Sequence, residues 1–67
     1  MVTFEVWTGK DDVEEFYKYK DFESRMIFLH KNGIEVRGYS LSNNENTLKY
    51  YYFRDDNLIA ESNYMDN

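Results

Sequence analysis

Arg25-Met26-Ile27-Phe28-Leu29-His30-Lys31-Asn32-Gly33-Ile34-Glu35-Val36-Arg37 can be built in two ways, and the choice decides the fold. Asn-Gly between apolar-rich segments is a strong hairpin signal, because a type I′ turn needs positive φ at both central residues. With Asn32-Gly33 at the turn, Leu29 pairs with Val36, Ile27 with Gly38 and Lys31 with Ile34, while Phe28, Met26 and His30 meet Arg37, Tyr39 and Glu35. Ile27, Leu29, Ile34 and Val36 then share one aliphatic face, which a one-residue slip would invert. The rival is a helix over 22–32 that ends on a Gly33 C-cap, with Ile34 as the apolar contact after it. Agreement in register between two separate segments favours the hairpin.

A short amphipathic helix is predicted over roughly residues 12–21, on its cap and its Glu and Lys content. Asp11 or Asp12 can cap it, each followed three residues later by Glu14 or Glu15, and acids in a first turn suit the helix dipole. Val13, Phe16, Tyr17 and Lys20 fall on one helical face. Alternation in Tyr17-Lys18-Tyr19-Lys20 supports a strand there instead.

The remaining segments alternate with period two. Val2-Thr3-Phe4-Glu5-Val6-Trp7 predicts a first strand, with Val2, Phe4 and Val6 inward and Thr3, Glu5 and Trp7 opposite. In Lys49-Tyr50-Tyr51-Tyr52-Phe53-Arg54, four consecutive aromatics cannot share a face. A turn at Asp55-Asp56 opposes Phe53 to Leu58 and Tyr51 to Ala60, an apolar quartet suited to a core. The same register sets Tyr52 against Ile59 and Tyr50 against Glu61, a mixed group suited to a surface. Ser42–Asn46 predicts a polar turn, and Met65–Asn67 a frayed end. The sum is one α+β domain over 1–67: an antiparallel sheet of about five strands with one helix packed on one face. An all-β sheet curling toward a small barrel, with 14–20 as a further strand, is the alternative.

Composition narrows the function classes. Sixty-seven residues leave room for one core, and the absence of cysteine rules out disulfide staples and thiolate zinc sites. Aromatics make up 19% of the chain, enough large rings to build a small core from few positions. Thirteen acids against eight bases give a net charge of -5, which repels nucleic-acid backbones and anionic membranes. No stretch approaches the length of a membrane span, and no secretory signal opens the chain, so the expected location is cytoplasmic.

Catalytic signals are weak. His30 and Glu35 would be cross-strand neighbours, but no nucleophile motif accompanies them, and such pairs are ordinary beside a hairpin turn. Asp11, Asp12, Glu14 and Glu15 lack the EF-hand pattern, and Gly9, Gly33 and Gly38 form no phosphate-binding run. No enzyme activity, metal or cofactor is expected. The expected function is that of a small acidic protein-binding module, an inhibitor or regulator of a basic partner, working through exposed aromatics and carboxylates. Tyr50, Tyr52, Tyr39, Trp7, Glu61 and Asp55 are the candidate contact residues. A homodimeric structural domain is the alternative, and a binder of single-stranded nucleic acid, with rings stacking on bases, is a third and disfavoured one.

Overall fold

The computed structural model describes residues 3–42 and 47–64. Its elements run β1 (Thr3–Thr8), β2 (Asp12–Phe16), α1 (Tyr19–Lys31), β3 (Arg37–Ser42), β4 (Thr47–Arg54) and β5 (Asn57–Tyr64). The five strands form one antiparallel sheet in the order β2-β1-β3-β4-β5, with the helix across one face. This is the expected α+β architecture, reached with two segments exchanged.

The Asn32-Gly33 hairpin does not form. Gly33 N–H donates to the His30 carbonyl and Ile34 N–H to the Leu29 carbonyl, both at 3.0 Å, which is the Schellman pattern closing a helix. Gly33 sits at φ +75° and Ile34 occupies the position beyond it, so the rival helix is the correct one. Its apolar positions explain why: Phe22, Met26 and Leu29, spaced by four and three, are the buried face of α1. Asp21 in the first turn and His30 and Lys31 in the last complement the helix dipole. An added Cβ at Gly33 would meet nothing within 4 Å, so its cost is purely conformational. Gly33→Ala is therefore expected to lose about 1–2 kcal/mol, and Gly33→Asn less, read as shifts in the urea midpoint.

Residues 12–21 correct the second expectation. Asp12–Phe16 is an edge strand, paired with β1 from Phe4↔Phe16 to Thr8↔Asp12, and not the start of a helix. The acids that resembled a cap instead line an exposed edge, where polar side chains cost nothing. Gly9, at φ +78°, turns the chain between the two strands. Arg25 Nε donates to Glu14 Oε1 at 2.8 Å, tying the middle of the helix to this edge. The expected turn at 42–46 lies outside the described residues at positions 43–46. So do Val2 and the expected frayed end at 65–67.

Strand parity divides the sheet. Phe4 and Val6 on β1, Gly38 and Ser40 on β3, Tyr51 and Phe53 on β4, and Leu58 on β5 look toward α1. Val6, Phe22, Met26, Leu29, Val36 and Tyr51 form the buried core, with Phe4, Phe16, Phe53 and Leu58 packed around it. Aromatic contacts dominate: Phe22 lies 4.8 Å from Tyr51 edge-to-face and 5.2 Å from Phe4, centre to centre. The buried Tyr51 hydroxyl is satisfied by Ser40 Oγ at 3.1 Å, which lets a tyrosine occupy the core at little polar cost.

Candidate binding face

Among the described residues, no helix covers the other side of the sheet. Parity places Thr3, Glu5 and Trp7 there from β1, Arg37, Tyr39 and Leu41 from β3, Leu48, Tyr50 and Tyr52 from β4, and Ile59 and Glu61 from β5. Four of its rings touch in sequence. Trp7 meets Tyr39 edge-to-face at 6.2 Å, Tyr39 meets Tyr50 at 5.4 Å, and Tyr50 stacks on Tyr52 at 5.4 Å. The row crosses three strands and each ring remains partly exposed. Aromatic pairs of this kind contribute about 0.5–1.5 kcal/mol beyond the area they bury.

Polar groups hold the row at both ends. Trp7 Nε1 donates to Glu5 Oε1 at 3.1 Å. The Tyr52 hydroxyl donates to Glu61 Oε1 at 2.7 Å, and Arg54 reaches the same hydroxyl at 3.4 Å with its guanidinium 5.8 Å from the ring centre. Glu5 faces Glu15 directly across the β1–β2 ladder, a like-charge pair that a cation would relieve. Beside it, Thr3, Glu5, Trp7, Arg37, Tyr39 and Leu41 line most of a hollow of about 430 Å³.

Glu61 raises the Tyr52 phenol above its ordinary value near 10, chiefly through the hydrogen bond, with desolvation and the carboxylate charge adding to it. Tyr19 in the helix is also raised, first by burial and then by Glu23, whose carboxylate accepts its hydroxyl proton at 3.2 Å. In both cases the folded chain holds a proton that the unfolded chain releases near pH 10. This contribution to stability is complete below that pH and is lost as pH rises through the folded values. Glu61→Ala is expected to lower the Tyr52 titration toward that of a free phenol, followed by the ring carbon resonance. An unchanged Tyr52 titration would contradict the assignment.

The five candidates Tyr50, Tyr52, Tyr39, Trp7 and Glu61 thus lie on one surface. Asp55 lies apart, in the two-residue turn between β4 and β5, where Asp55 and Asp56 both have positive φ, at 50° and 65°. Arg37, Leu41, Leu48 and Ile59 belong to the same face and were missed. Their signal was alternation with Tyr39, Tyr50 and Glu61, readable only once the strands are assigned. Tyr39 faces Glu5 and Tyr50, not Met26, because β3 pairs with β1 and β4. His30 is not beside Glu35 across a hairpin. Its ring stacks on Phe53 at 4.0 Å, and Nε2 lies 2.8 Å from Asp56 Oδ1. Among the described residues, no group of three or more His, Cys, Asp or Glu side chains is arranged to hold a metal, and no helix is long and apolar enough to cross a membrane. No protein-family model, curated protein or solved structure matches the chain.

Proposed function

We propose that this chain is a non-enzymatic protein-binding module, an inhibitor or regulator that grips a basic partner surface with the uncovered face of its sheet. The carrying observation is the contiguous row Trp7-Tyr39-Tyr50-Tyr52 on a face that no element of the described residues covers. Tyrosine and tryptophan offer large contact area at low entropic cost while tolerating water before the partner arrives. Charge favours a basic partner. The molecule carries -5 overall, Glu5 and Glu15 face each other beside the row, and Glu61 closes its far end.

The test is affinity capture with the wild-type chain and with Tyr50→Ala/Tyr52→Ala, at low and at high salt. A partner held by the wild type should be lost from the double variant and weakened by salt. Identical capture by both chains, or capture indifferent to salt, would refute the reading. Sedimentation at micromolar concentration separates it from the homodimer alternative, which requires a dimer there.

A further inference from the structure

The two edges of the sheet are unlike. β2 is five residues long, its Asp12, Glu14 and Glu15 are exposed, and Arg25 of the helix clasps it through Glu14. Short length, charge and a covering element are the usual means of blunting an edge. Among the described residues, β5 has none of these protections. It is eight residues long, Asn57-Leu58-Ile59-Ala60-Glu61-Ser62-Asn63-Tyr64, with no proline, glycine or lysine and one charge.

Its free hydrogen-bonding groups follow from the turn. A two-residue type I′ turn makes its flanking pair, Arg54↔Asn57, a hydrogen-bonded one. Ile59 and Glu61 then also bond toward β4, and the N–H and C=O groups of Leu58, Ala60 and Ser62 point outward. Ala60 and Ser62 are exposed, while Leu58 is half-buried with its side chain against the core.

We infer that β5 is a docking edge for an extended, basic segment of a partner protein, which adds a sixth strand beside Glu61 and extends the aromatic face. This deepens the binding reading above and rests on it. The added strand gains backbone bonds from Leu58, Ala60 and Ser62. Its side chains on the aromatic side fall beside Ile59 and Glu61, one apolar and one acidic, so an apolar and a cationic residue two positions apart on the added strand fit. A second copy of this chain fits less well. Pairing β5 with itself about a two-fold axis at Ala60 sets Glu61 opposite Ile59 of the other copy, so the two Glu61 carboxylates lie diagonally across the axis. It also joins two bodies of charge -5.

The probe is a capped peptide matched in length to β5, with lysine and valine taking turns along one face and threonine along the other, followed by fluorescence anisotropy and amide exchange at low salt. Wild-type protein should bind it and show new protection at Leu58, Ala60 and Ser62. Methylating alternate peptide nitrogens keeps the charge but removes ladder donors, and should weaken binding about tenfold or more. Ala60→Pro removes an outward N–H and should do the same while the fold survives, since an edge tolerates proline. The methylated peptide keeps the test decisive should that variant fail to fold. Binding unaffected by methylation but lost in Tyr50→Ala/Tyr52→Ala would overturn the edge proposal while leaving the aromatic face standing. No binding to wild type, or a wild-type dimer abolished by Ala60→Pro, would overturn it as well.

Discussion

Phe22→Ala is expected to remove most of the stability of the domain. Phe22 is fully buried and joins Phe4, Tyr19 and Tyr51 in one ring cluster, with centres 4.8–5.9 Å away. Truncating a buried phenylalanine costs about 3–5 kcal/mol, combining lost transfer energy with the cavity left behind. A chain of this length has about 3–10 kcal/mol to lose, at roughly 0.05–0.15 kcal/mol per residue. Urea titration followed by circular dichroism should show a transition shifted to low denaturant, or a chain largely unfolded without any. Phe28, on the same helix but 55% exposed, is the internal control. Its alanine variant should lose less than about 1 kcal/mol, as surface substitutions do. Comparable losses at the two sites would contradict the packing described.

Gly38→Val should be as damaging for the opposite reason. A Cβ at Gly38 would stand 2.5 and 2.9 Å from two Phe22 ring carbons and 3.1 Å from the Met26 methyl. Gly38 has no unusual φ, so the glycine serves space and not conformation. Even Gly38→Ala is expected to cost about 1–3 kcal/mol through overpacking, and valine more, since its branches follow the same line into the ring. The diagnostic experiment is the pair Gly38→Ala with Phe22→Leu. A smaller side chain at 22 should recover part of the loss, giving a coupling of about 1 kcal/mol or more. Strict additivity would mean that the two positions do not meet.

The last hairpin was legible because local features agree there. A two-residue turn at Asp55-Asp56 sets Tyr51 and Phe53 against Ala60 and Leu58 in one register, and the structure adopts it residue for residue. The division of the aromatic run followed: Tyr51 and Phe53 inward, Tyr50 and Tyr52 outward. Residues 25–37 were misread because Asn-Gly serves two structures. A type I′ turn and a Schellman cap both need positive φ at Gly33, and Ile27, Leu29, Ile34 and Val36 alternate well enough to suggest strands. What decides between them is Phe22, Met26 and Leu29 recurring with helical spacing, a pattern that begins before the stretch in dispute. The acids at 11–15 misled in the same way, since an exposed edge strand and a helix first turn both accept carboxylates. The assembly of Trp7, Tyr39 and Tyr50 into one row lay beyond local reasoning. It depends on β3 lying between β1 and β4, a pairing made across the helix.

That insertion also sets the order in which the chain can fold. β1–β2 and β4–β5 are neighbours in sequence, and such hairpins form in about 1–10 μs. β1 and β3 are joined only after the intervening helix folds back, when Thr3 meets Leu41 and Val6 meets Gly38. Closing that long loop costs entropy before its contacts return any. The barrier to folding is therefore expected at the β1–α1–β3 junction. Conservative truncations at Val6 and Met26 should slow folding, with φ-values of about 0.5–0.8. Truncation of Ile59, on the far hairpin, should mainly speed unfolding, with φ nearer 0–0.3. Stopped-flow measurement of the three variants would show the reverse ranking if the outer hairpin nucleated the fold.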